Sequence, residues 1–277
     1  MSMEFISVRG PESTTFSWPR WRRLARAHWA EQRSTYLGHL LVCSLLYIAL
    51  LLFMLGVSGF AAFQTSMQAA LYFGGLFLTG FVFAGRYFSA VARRESALLA
   101  LMRPASVFEK WALCVVVVAI AYPLAYSLLF LAISWPVQQA AIAVRSALEP
   151  QAFKPEDYAL FMPLAKMAAR QAMPAAQQTG LLIAVWTLQA FAVAGSLYFG
   201  RASLLKTLAL GFALFVSTAL VASMAGAQGD VLFAWWSSRR FASLDAGIHA
   251  LNALLWIGLP ALLWLQAYLH LQEKELL

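Results

Sequence analysis

Apolar positions in this chain fall in long unbroken runs rather than in alternation. Six such runs stand out, at 40–63, 69–85, 111–135, 179–199, 204–227 and 247–269. A transmembrane helix needs about 20 predominantly apolar residues, and each run is that long or nearly so. Strands of an outer-membrane barrel alternate with a period of two over about ten residues, which these runs do not. One more element precedes them. Between residues 18 and 33, Trp18, Trp21, Ala25 and Trp29 recur at steps of three and four, with Arg20, Arg22, Arg23 and Arg26 between them. That spacing predicts an amphipathic helix lying in the membrane interface. The expected fold is therefore all-α, a polytopic membrane protein with six transmembrane helices. A flexible N-terminus (1–17) and the interfacial helix (18–36) precede a six-span domain at 37–277.

The segments between the runs carry their own patterns. Residues 86–110 hold five basic residues and are broken by Pro104. In the longest connection, 136–178, Pro136, Pro150, Pro155 and Pro174 punctuate two expected short helices. In the second of these, Tyr158, Phe161, Met162 and Ala165 share a face suited to resting on the outer leaflet. A shorter outer loop, 228–246, contains Trp235, Trp236, Arg239 and Arg240. Pro123 and Pro260 fall inside the third and sixth runs, where each removes a backbone donor and kinks its helix.

Composition supports the same class: 62% of the 277 residues are apolar and only 12% charged, against about 25% charged in soluble domains. Of the 20 basic residues, fourteen fall on one side of the membrane and six on the other if the N-terminus is inside. The positive-inside rule then places both termini in the cytoplasm. The net charge of +8 reads as a topology determinant beside anionic lipid, not as a nucleic-acid footprint. Cys43 and Cys114 both sit in apolar runs as packing residues. The first 35 residues lack an apolar core of about 7–15 residues with a small-residue cleavage site, so the first span is expected to direct insertion itself.

Reactive chemistry is sparse. The central thirds of the six runs hold no acid, and their polar candidates are Gln189, His249 and Asn252. Ion-coupled transporters place ionisable groups there. No H-E-x-x-H or G-x-x-x-x-G-K-[ST] motif occurs, so no metal site or nucleotide site is expected and no catalytic residue is assigned. Ser196, after Gly195, fits small-residue packing. Met162, Met167 and Met173 are spaced so that they do not stack on one helical face, which argues against a copper site. His39 and His249 fall near helix ends, where an imidazole needs no functional role.

The most specific stretch is 83–110, FAGRYFSAVARRESALLALMRPASVFEK. It resembles the permeases of type-2 ABC (ATP-binding cassette) exporters in a largely uncharacterised bacterial subgroup. These carry an aromatic-flanked arginine after the second span, then a Leu-Pro-Ala-Ser-x-x-Glu-Lys motif before the third. Arg86, Pro104, Ala105, Ser106, Glu109 and Lys110 match, as do Phe88 and Trp111, while Arg103 stands where leucine is usual. The tryptophan-rich helix before the first span and the ending around Glu273-Lys274-Glu275 look similar too. The resemblance implies a coupling helix at 91–102 that docks on an ATPase. There Arg93, Arg94 and Glu95 offer charge contacts, and Leu98, Leu99 and Met102 an apolar face. It further implies ATP and Mg on that partner rather than on this chain, a homodimer or a paralogous partner permease, and the bacterial cytoplasmic membrane. A path through ion-free spans suits a lipid-like or amphipathic cargo. The competing reading is a non-transport membrane scaffold or assembly subunit, with a secondary transporter as a third.

Overall fold

The computed structural model describes residues 15–88, 105–151, 153–163, 173–199, 202–224, 250 and 253–276. Of these, 89% are helical and none is in a strand.

Helix α1 (Trp18–Ser58) starts after an extended Ser17, with Pro19 in its first turn, where a missing N–H is harmless and φ is preset. No breaker follows before Gly38, so the amphipathic segment runs on into the first apolar stretch as one helix of 41 residues. At 1.5 Å per residue it is about 60 Å long, twice the hydrocarbon thickness of about 30 Å. It ends at Gly59, whose φ of 61° a side chain would resist.

Helix α2 (Thr65–Tyr87) is the central element. Gln68, Tyr72, Leu76, Gly80 and Ala84 are buried at four-residue steps, and Ala69, Phe73 and Phe83 extend the buried surface. It packs most extensively on α4 (Ala175–Tyr198), which in turn packs on α6 (Leu259–Leu276). Helix α3 is continuous over Val107–Leu148, and α5 spans Ser203–Met224. Among the described residues, five helices are long and apolar enough to cross a membrane: α1, α2, α3, α4, and α6 with its preceding turn. Their length and apolar character are those of a multi-pass membrane protein. Side chains such as Leu41, Leu52 and Phe53 on α1 and Leu208 and Phe212 on α5 are exposed, as they must be where the surroundings are lipid.

Both prolines expected to kink their helices follow a π-helical stretch. Residues Val116–Ala121 and Leu254–Gly258 are π-helical, and Pro123 and Pro260 each come two residues later. Pro123 has no N–H for the Ala119 carbonyl four residues back, and its ring crowds that carbonyl. The register widens, with Tyr122 N–H reaching Val117 O. The freed Ala119 carbonyl accepts instead from Trp186 Nε1–H of α4 at 2.9 Å. Pro136, expected among the prolines that punctuate the 136–178 connection, lies inside α3.

Of the second short helix expected in 136–178, the described part, 155–163, is a single 3₁₀ turn, Pro155–Tyr158, followed by irregular chain, and 164–172 lie outside the described residues. Tyr158 and Phe161 do not rest on the membrane surface. Phe161 is fully buried among Tyr72, Phe73 and Phe130, with ring centroids 5.6, 6.1 and 6.4 Å away. Thr65 and Gln68 at the start of α2 hold this segment. Thr65 Oγ1 donates to Ala159 O at 2.7 Å, and Phe161 N–H donates to Gln68 Oε1 at 3.0 Å. Ala165, Met167, His249, Asn252 and the loop at 228–246 lie outside the described residues.

Candidate functional site

One pole of the bundle gathers the start of α1, the end of α2, the start of α3 and the end of α6. Its organising residue is Glu109, whose side chain is 0% exposed. Ser106 caps α3, its Oγ accepting from Glu109 N–H at 3.2 Å, while Ser106 N–H donates to Glu109 Oε2 at 3.1 Å. This is the reciprocal capping box of an S-x-x-E sequence, here Ser106 to Glu109. The carboxylate has a second function. Its Oε1 accepts from Ser17 N–H at 2.7 Å and its Oε2 from Arg20 Nε–H at 2.7 Å. Ser106 Oγ–H donates to Thr15 O at 2.6 Å, and Phe16 meets Phe108 edge-on. The carboxyl lies ahead of the apolar stretch that begins at residue 111. Burial pushes it up, but the donors from Arg20, Ser17 and Ser106 outweigh burial and hold it below the ordinary glutamate value. Three donors converging on two oxygens require the ionised form.

The same pole is tied to α6. Trp111 Nε1–H donates to Trp264 O at 3.0 Å, and its ring meets Tyr268 edge-on at 5.9 Å. The start of α1, the start of α3 and the middle of α6 are thereby cross-linked at this pole.

Beside this clamp, α1 and α2 diverge around a groove of about 600 Å³. Its polar end carries His28, Gln32 and Arg86, and its other end Val42, Leu46 and Leu78. The floor is aromatic. Phe83 stacks on Tyr122 with centroids 4.3 Å apart, and the His39 ring lies 5.4 Å from Phe83.

Deeper in the bundle, Gln189 of α4 is fully buried against α2, where Gly80 leaves room for its amide: a Cβ there would come within 3.2 Å of Gln189 Nε2. Neither polar atom of its side chain has a hydrogen-bond partner among the described residues.

The residues singled out in the sequence divide accordingly. Ser106 and Glu109 form the clamp, and Ala105 leads into it. Lys110 continues the capped turn, its N–H donating to Ser106 O at 3.1 Å. Arg86 is not in the clamp but on the rim of the groove. Arg93, Arg94, Glu95, Leu98, Leu99, Met102 and Pro104 lie outside the described residues. Sequence reasoning missed Arg20 and Ser17 as partners of Glu109. It had a usable signal for the cap in the S-x-x-E spacing, and none for a contact 89 residues away. No protein-family model, curated protein or solved structure matches the chain.

Proposed function

We propose that this chain is the transmembrane permease subunit of an ABC transporter, an exporter of a lipid-like or amphipathic cargo powered by a separate ATPase chain. The observation that carries the reading is the Glu109 clamp. It joins the start of α1 to the start of α3 at the point where the chain returns from 89–104, the segment bearing the coupling-helix candidates. A push delivered there by an ATPase closing on ATP and Mg would pass into both helices at once instead of dissipating in a loose loop. The π-helical stretches before Pro123 and Pro260 supply places where two of the spans can bend.

In this reading six helices cross the bacterial cytoplasmic membrane, α5 among them, with both termini and the basic pole in the cytoplasm. A second copy or a paralogous permease completes the pathway. Because the central thirds of the apolar runs hold no acid, a path between two such chains suits an amphipathic cargo better than an ion.

The test is purification of the tagged chain from its host in mild detergent, with mass spectrometry of what accompanies it. The reading expects an ABC ATPase, lost when Arg93 and Arg94 are changed to Glu while the chain still inserts. Recovery of the chain alone, or with unrelated envelope proteins, would overturn it in favour of a scaffold.

A further inference from the structure

We infer that the outward ridge of α1 binds an anionic phospholipid, its phosphate against Arg26 and Arg33 and its acyl chains along Leu37, Leu41 and Leu45. The reading does not depend on the chain being a permease.

The ridge follows from the helical period. Trp29, Arg33, Leu37, Leu41 and Leu45 stand four residues apart, which places them in one slowly turning row. All five are exposed, and Arg26 and Arg22 are exposed about one and two turns nearer the start of the helix. None of these residues lines the groove between α1 and α2. A different side of the same segment meets the protein: Leu24 is buried, and the His28 ring lies 5.3 Å from that of Tyr87 on α2.

Contacts with α2 also fix the depth. Besides the His28 and Tyr87 pair, the Tyr36 ring lies 5.3 Å from Phe83. The apolar run of α2 ends at 85, so the stretch of α1 from 28 to 36 stands at the edge of the hydrocarbon. Tryptophans and lipid phosphates gather at that depth. Trp29 and Arg33 fall inside this stretch. From Leu37 to Leu45 the row continues for about 12 Å at 1.5 Å per residue, most of the roughly 15 Å of one leaflet's hydrocarbon. Cations and an indole at the edge, then aliphatic side chains beyond it, match the order of parts in one anionic phospholipid.

Charge selects the headgroup. No acid stands three or four residues from Arg22, Arg26 or Arg33, so none has a partner on its own helix face. Among the described residues none of these three guanidinium groups makes an ion pair. A guanidinium offers a planar fork of donors matched to a phosphate, and a row of uncompensated cations favours a lipid with net negative charge over a zwitterionic one. Binding has a consequence for the clamp. Arg26 is less than two turns from Arg20, which Glu109 grips, so a lipid held on the ridge steadies the start of α1.

The experiment mixes the purified full-length chain, in neutral detergent, with micelles carrying phosphatidylglycerol or the same amount of phosphatidylethanolamine. Thermal unfolding is measured, and retained lipid is counted by native mass spectrometry. Phosphatidylglycerol should be retained at least about fivefold more, raise the melting temperature by about 3 °C or more above phosphatidylethanolamine, and slow trypsin cleavage after Arg20. Arg26→Gln combined with Arg33→Gln should lower the retention of phosphatidylglycerol at least about fivefold, with an unchanged melting temperature in lipid-free detergent. Arg33→Lys should keep most of the binding. Equal retention of the two lipids by the wild type, or an undiminished preference in the double variant, would overturn the inference. So would a wild-type dimer that retains no lipid and that the double variant converts to a monomer, since the ridge would then be a contact between copies. If the double variant fails to insert, the single Arg33→Gln variant and the wild-type preference decide it.

Discussion

Replacing Glu109 with glutamine separates charge from shape at the clamp. The carboxylate offers two accepting oxygens, one to Ser17 N–H and one to Arg20 and Ser106, whereas an amide offers only one. Whichever way it is turned, its NH₂ faces a donor. Orphaning one buried backbone donor costs about 1–3 kcal/mol. Arg20, 32% exposed, recovers its hydration, so its lost ion pair adds little. The loss, about 1–3 kcal/mol, corresponds to a fall in melting temperature of roughly 2–12 °C at about 2–4 °C per kcal/mol. The assay is thermal unfolding of the detergent-solubilised chain, paired with trypsin cleavage after Arg20 and Arg22, which should accelerate as the start of α1 detaches. Arg145→Gln is the control. Its exposed partner Glu149 sits one turn away at the end of α3, and such exposed pairs contribute little. The sign with pH is fixed by the lowered Glu109 value. The charged clamp contributes fully above the ordinary glutamate value of 4.5 and is lost as pH falls below it. The gap between wild type and Glu109→Gln should thus be constant from about pH 6 to 8 and narrow below about 4.5. A variant that melts within 1 °C or so of wild type, with unchanged trypsin cleavage, would refute the reasoning.

Three further outcomes follow from the helix contacts. Trp186→Phe removes the indole donor to the Ala119 carbonyl and should cost about 1–2 kcal/mol. Adding Pro123→Ala restores a backbone N–H and should return part of it, so equal losses in single and double variants would count against the π-turn account. Gly195→Ala drives its new methyl into the side chain of Thr207, which is β-branched and stiff. A loss of about 1–3 kcal/mol is expected, largely recovered with Thr207→Ala, and a wild-type melting curve would contradict the close α4–α5 approach. Gln189→Met keeps length while removing two unpartnered polar atoms. It should raise the melting temperature by a few degrees, and a fall would mean that Gln189 has a polar partner.

How much of this was legible in the sequence depends on the range of the interaction. The long helices are, because crossing lipid is decided by local composition and by the need to satisfy every backbone group within the segment. The helix cap is legible too, since Ser106 and Glu109 are three residues apart. Periodicity failed at Tyr158 and Phe161 for a reason specific to membranes. In water an apolar face points to the core, but in a bilayer both the protein interior and the surroundings are apolar, so the face alone cannot say which it meets. What decides is the polar grip of Thr65 and Gln68 on the backbone of that segment, made by residues more than 90 positions away. Arg86 and His39 show the same limit. Arg86 sits near the end of α2 and His39 beside the start of the first apolar run, places where a charged or imidazole side chain needs no explanation, and only the meeting of α1 with α2 turns them into walls of one groove. The prolines are the intermediate case. The missing N–H at Pro123 could be foreseen from the chain, yet the repair came from an indole on α4. The π-helical stretch is therefore held by tertiary structure as well as by proline, and a variant of Trp186 should change the helix geometry without touching the proline.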